Sequence, residues 1–378
     1  MTRIVATAWL LTLLAPLRAA AQPGSGAIEV SGLERYWRVQ AALARGVEPG
    51  PAAWDSLFET PGYAALEARE RRRSVLEQAI RLAAMPALRD SAAAVMAKPG
   101  FLGSSVAHLL AANQDRERLI DGTPDFVSAL QAEYRAGAGR AAALLGDSLV
   151  RSVPPPPIAL ILFAPDGRGY PQLIIGDLRN LLGREGREGF LAHELFHFYR
   201  RRIGRPRVGE AGADGPWLDA IGNVEEEGIA DQLDKAEIPG LGVEALRARF
   251  PDSLNFDFYR RYRELVLDGA SWVRFADSAL AAMPAGDSAR RAAGRRFASA
   301  LPISGRPLGA YMASVIRGRS GGWAPLRAVA GDPIAFWLAY DRAATGEPEA
   351  PRLSEPARMA LERLLRHYGS AGDSPAGD

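Results

Sequence analysis

Residues 190–199 read FLAHELFHFY. Wound as an α-helix, this stretch turns apolar side chains to nearly every side: Phe190, Leu191, Leu195, Phe196 and Phe198. A helix that is apolar all round must be buried. The chain therefore has to build a core around this segment, and His193, Glu194 and His197 go into that core with it. Two unliganded imidazoles there would be costly. Residues four apart share a helix face, so His193 and His197 can offer nitrogens to one cation. Zinc takes nitrogen and oxygen ligands tetrahedrally, and a catalytic site keeps a position open for water. Glu194 lies beside His193, and such a carboxylate can reach that water as general base. The chain has only four histidines in 378 residues, so a chance H-E-x-x-H is rare. The bland reading, a surface helix with two satisfied histidines, conflicts with the apolar flanks.

A third ligand is required. His108 and His367 sit in helical contexts far along the chain and read as structural or surface histidines. There is no cysteine, which excludes disulfides and thiolate ligands. A carboxylate remains, and the stretch NVEEEGIAD supplies three in a row. Consecutive helical residues point about 100° apart, so Glu225, Glu226 and Glu227 cannot all face one ion. Only Glu227 has Asp231 one turn later, where that carboxylate can take a hydrogen bond from a ligating histidine. Glu227 is the expected ligand, Asp231 its supporting carboxylate, and Glu225 a second supporting group. Glu226 reads as part of a solvated acidic face, and Gly228 as room for a close helix approach.

The rest of the chain reads as mainly α with a small β element. Apolar residues make up 48% and charged residues 24%, an ordinary globular balance. A net charge of +2 gives no sign of a nucleic-acid partner. The positive charge is nearly all arginine; the only lysines are Lys98 and Lys235. Residues 1–21 read as a cleaved signal peptide, with Arg3, an apolar run from Ile4 to Leu17, and Ala19-Ala20-Ala21. The expectation is an exported protein, periplasmic or secreted, with no membrane attachment after cleavage. A helical N-terminal lobe is expected over 27–153, with a helix opening at Thr60-Pro61 and carrying Arg71–Arg73 on its wet face. A further helix around 125–150 is weakened at Gly137 and Gly139. Pro154–Pro157 form a stiff connector. Then Ile158–Phe163 and Gln172–Ile175 read as strands around the turn DGRGY. The core is expected over 154–250, a helical C-terminal lobe over 251–368, and a disordered tail over 369–378.

HELFH followed by EGIAD resembles the gluzincin zinc metallopeptidases, and also uncharacterised bacterial families of zinc-dependent peptidases. WDSLFETPGY and PLGAYMASVI echo the wider pattern of the latter. The resemblance implies a zincin-like core flanked by helical lobes, and a peptide or protein substrate. It implies Zn2+ on His193, His197 and Glu227, Glu194 as base and Asp231 in support. It also implies a substrate-binding strand edge beside the motif helix, which Gln172–Ile175 or Ile158–Phe163 could provide by main-chain pairing. Thermolysin-like enzymes steady the oxyanion with a further His and a Tyr, and no further His stands near these motifs. Tyr311 is the first candidate for that role, ahead of Tyr259, Tyr262 and Arg317. Two other functions fit the same residues: a zinc hydrolase of a non-peptide amide or ester, and a non-catalytic binding protein with a vestigial zinc site.

Overall fold

Four prolines at 154–157 deliver the chain, already extended, into the centre of a small sheet. In the computed structural model, residues 27–203, 212–250, 253–318 and 321–368 are described. The expected signal peptide and tail lie outside them. The sheet has strands Ile28–Glu29 (β1), Ile158–Ile161 (β2), Gly167–Gly169 (β3) and Ile174–Asp177 (β4), in the order β1-β2-β4-β3. β1, β2 and β4 run parallel, and β3 is antiparallel to β4. Every residue of β2 and β4 is buried, as strands paired on both sides and covered by helices are.

Two corrections follow. The expected strands are there and adjacent, but both are interior, paired on each side, so neither offers an edge. The edge beside the motif helix is β3, which lies in the DGRGY segment read as a turn. Its glycines and arginine carry no strand signal. Pairing to β4, with Arg168 opposite Ile175, defines it instead. β1 is also invisible to periodicity, being two residues held by β2.

Helices make up the remainder. The motif helix Arg187–Ile203 is buried without a break from Gly189 to Arg200. It packs on the long helix Arg116–Leu145 and on the acidic helix Gly215–Asp234. The long helix is continuous through Gly137. That glycine marks the crossing with the motif helix: a Cβ there would stand 3.0 Å from Glu188 O and 3.1 Å from Ala192 N. In contrast, the helix opening at Pro61 does end early. Arg71 turns left-handed (φ 52°) between helices Pro61–Glu70 and Arg73–Ala84. Arg72 and Arg73 there pair with Glu70, Asp55 and Glu77.

The acidic helix also packs on helix Arg306–Arg317. The expected close approach at Gly228 occurs, and its partner is Gly309. A Cβ on Gly228 would fall 2.2 Å from Gly309 C, and one on Gly309 would fall 1.9 Å from Val224 O. Backbone lies directly on backbone, and Gln232 Nε2 donates to Ala310 O at 3.1 Å across the crossing. Arg306 stands one turn before Gly309, so the same crossing brings it to Glu227. No described helix is long and apolar enough to cross a membrane.

Candidate metal centre

The helical spacing does what the sequence requires of it. His193 Nε2 and His197 Nε2 converge to 3.1 Å. The acidic helix lies alongside and adds Glu227, with Oε2 3.7 Å from His193 Nε2 and Oε1 3.8 Å from His197 Nε2. Ligand atoms at zinc–ligand bonds of about 2.0–2.1 Å would stand roughly 3.4 Å apart in a tetrahedron; the two imidazole nitrogens are a little closer than that, and each lies a little further from its nearer Glu227 oxygen. Glu227 Oε2 is buried, with the Arg306 guanidinium 2.5 Å from it. An ionised carboxylate beside two imidazole nitrogens is a donor set that suits a zinc ion. The three residues therefore fit zinc, with no fourth protein ligand in the group among the described residues.

The far side of each imidazole is held as well. His197 Nδ1 lies 3.0 Å from Glu226 Oε1, and His193 Nδ1 lies 3.1 Å from Asp234 Oδ1. A proton on each Nδ1, given to the carboxylate, leaves Nε2 free to ligate. Asp231 stands further off, at 3.4 Å from His193 Nδ1. Its oxygens accept from Lys235 Nζ (2.8 Å) and Tyr262 Oη (2.8 Å). Asp231 thus stands near His193, while Asp234 makes the shorter contact with it.

Glu225 and Glu226 need correction. Glu225 touches neither histidine; it is fully buried and binds Arg200 and the Gly331 amide. Glu226 is not on a wet face. It is buried between His197 and Arg200 Nη1, the latter at 3.0 Å. Arg200 explains both. It sits one turn beyond His197 on the motif helix and takes the acidic pair into the core.

Charge is concentrated here. Burial opposes protonation of His197, but Glu227 and Glu226 outweigh it and hold its pKa above the usual imidazole value. Burial likewise pushes the Glu227 carboxyl up. Arg306 (Nη2 to Oε2, 2.5 Å) and the two histidines overcome that and hold it near 2. A second carboxylate group, His193 with Asp231 and Asp234, already contains a cation. Lys235 Nζ lies 2.8 Å from Asp231 Oδ1 and 2.7 Å from Asp234 Oδ2.

The centre opens on a cleft of about 730 Å³. Glu194 lines it, and its side chain accepts no hydrogen bond from the described residues. It rests on the edge strand: a Cβ at Gly169 would stand 2.7 Å from Glu194 Oε2, so glycine makes the room. The outer rim of β3 is covered by side chains. Gly167 N donates to Asp166 (2.8 Å), Gly167 O accepts from Arg168 (2.9 Å) and Gly169 O from Arg201 (2.8 Å).

Of the four oxyanion candidates, Tyr259 alone lines the cleft. Tyr311 is not brought to the centre. Its ring sits on Gly269 and beside Tyr340, at a centroid distance of 6.3 Å. Tyr262 is buried behind Asp231, and Arg317 binds Gly321 O. His108 is buried against Asp177, at 2.7 Å, and His367 is exposed.

Sequence reasoning missed Asp234, Lys235, Arg200 and Arg306. One signal was available for Lys235: it is one of two lysines in an arginine-rich chain, one turn beyond Asp231.

Fold and site together define a mainly helical protein whose His–His–Glu cluster, a candidate metal centre, opens on a cleft with a strand at its edge. The whole centre lies within residues 54–349, which match the family described as "Putative zinc dependent peptidase (DUF5700)". The chain belongs to that family. It matches no curated protein and no solved structure.

Proposed function

We propose that the chain is an exported zinc metallopeptidase of the gluzincin type, hydrolysing peptide bonds with Glu194 as general base. The observation that carries this reading is the convergence of His193, His197 and Glu227 beside Glu194, a carboxylate that lines the cleft and accepts no hydrogen bond from the described residues. When bound, zinc would supply an electrophile that acidifies water and polarises a carbonyl. The chain's own groups do the rest. Asp234 and Glu226 fix the two imidazole rings through Nδ1. Arg306 keeps Glu227 ionised. Glu194 is placed to take a proton from a water in the cleft and return it to the departing amine nitrogen. β3 is placed to pair with an extended substrate main chain, once Asp166, Arg168 and Arg201 yield its outer rim.

The test is a peptide-library digest read by mass spectrometry, with zinc content measured on the same samples. The mature protein, starting near Gln22, should bind about one zinc and cut peptides. Glu194→Gln should keep the metal and lose turnover by roughly 10²-fold or more. Zinc bound with no peptide cut would point to a non-peptide amide or ester. Full turnover in Glu194→Gln would remove Glu194 from the mechanism.

A further inference from the structure

Beside the metal cleft lies a second cavity, of about 240 Å³. The two share Pro165, Asn180, Arg184, Asn255 and Tyr259, so they adjoin as neighbouring chambers. The side chamber has room for roughly eight waters, about the bulk of one amino-acid residue. Its charge is lopsided. Arg118, Arg179, Arg184 and Arg249 line it, against the single acid Glu185. A net charge of +2 for the whole chain makes such local excess notable.

The arginines are only partly neutralised. Arg118 and Arg179 share one oxygen of Asp115, at 3.0 and 3.2 Å. Arg249 pairs with the half-exposed Glu237. Arg184 sits at the junction of the chambers. One nitrogen reaches Asp234 Oδ2 at 3.3 Å, and its guanidinium carbon lies 4.6 Å from the Phe190 ring centre. Asp234 in turn touches His193, so Arg184 stands two contacts from the metal centre. Asp177, behind the chamber-lining His108, is already committed: it accepts from the Phe163 and Asn180 amides and pairs with His108 Nε2. A chamber walled by forked guanidinium donors in a partly dry setting suits a carboxylate, which arginine binds bidentately.

We propose that the side chamber is a carboxylate-binding subsite that selects acidic peptides. The carboxylate would come from a free C-terminus or from an Asp or Glu side chain close to the cleaved bond. This rests on the peptidase reading of the metal centre. It adds a preference that the centre alone does not impose.

Three otherwise identical short peptides separate the sources: a neutral C-terminal amide, its free acid, and an amide carrying one internal Glu. Binding is measured by calorimetry on the zinc-loaded Glu194→Gln protein, so no turnover is needed, and kcat/KM is measured on the wild type. At least one acidic peptide should bind roughly tenfold tighter than the neutral amide. Preference for the free acid alone identifies the C-terminus; preference for the Glu amide identifies the side chain. The double variant Arg179→Gln, Arg249→Gln should bring the ratio down to about twofold or less. If that variant does not fold, Arg249→Gln alone, at a half-exposed pair, should still lower the ratio. Equal binding of all three peptides, or a preference unchanged in the folded variants, would overturn the proposal. Selective binding with no cleavage in the wild type would sink the peptidase reading and leave the subsite standing.

Discussion

Replacing Gly309 by alanine tests how the centre is held. The added Cβ would lie 1.9 Å from Val224 O and 2.8 Å from Gly228 Cα, where ordinary contact begins at 3.4 Å. Helices Gly215–Asp234 and Arg306–Arg317 would have to part locally by about 1.5 Å, taking the larger deficit. The obstructing atoms are backbone, so no side-chain rotation relieves them. Overpacking costs about 1–3 kcal/mol, and rigid walls place this case at the upper end, near 3 kcal/mol. Unfolding entropy of about 2 cal/mol/K per residue turns that into a Tm fall of roughly 4 °C for a chain of this size. The separation also draws Arg306 away from Glu227, so zinc should bind about 10- to 100-fold more weakly, as when a supporting contact is lost. Scanning calorimetry of zinc-free and zinc-loaded protein, with an indicator competition for affinity, reads both effects. Gly122→Ala is the control: it lies in a helix with nothing within 4 Å of its Cβ, and should be neutral or slightly stabilising. A Gly309→Ala protein that melts within a degree of wild type and binds zinc equally well would refute the close-crossing argument.

Other outcomes follow from the same contacts. Glu226→Gln and Asp234→Asn should each weaken zinc about 10- to 100-fold by loosening an imidazole; unchanged affinity in a chelator competition would deny them that role. In the zinc-free protein, Glu227 contributes to stability through its depressed pKa. A carboxyl near 2 in the fold, against 4.5 as the ordinary value, adds stability above about pH 4.5 and loses it as pH falls toward 2. The loss is on the order of a few kcal/mol. Urea unfolding at pH 5 and pH 3 should show it in wild type and much less of it in Glu227→Gln. Similar pH slopes in the two proteins would rule it out.

The candidate metal cluster was legible because three strong constraints meet in a short stretch: an all-round apolar helix, helical spacing of two scarce histidines, and a carboxylate with a second acid one turn on. Gly228 was legible for a similar reason, since a glycine inside a buried helix needs a neighbour to explain it. What the sequence hid was decided by elements distant along the chain. Whether Glu226 faces water or His197 depends on Arg200, and an arginine in an Arg-Arg-Arg run looks solvated. Tyr311 carried the right chemistry, but Gly269 receives its ring, and no local pattern shows that. β3 is a strand because β4 offers it a partner, not because Gly-Arg-Gly prefers to be extended. The helix from Pro61 broke at Arg71, a left-handed residue that propensity would never assign to arginine.

Lys235 gives the centre a ceiling as well as a support. Its ammonium group sits between Asp231 and Asp234, the two acids that with His193 could hold another ion. Burial disfavours its charge, yet those carboxylates raise its pKa, so the cation persists at any ordinary pH. The chain thus carries its own permanent counter-ion in the one further group beside His193 that, among the described residues, could take a metal. A protein so plugged should count metal cleanly: one equivalent fills it, and surplus zinc finds that corner already taken.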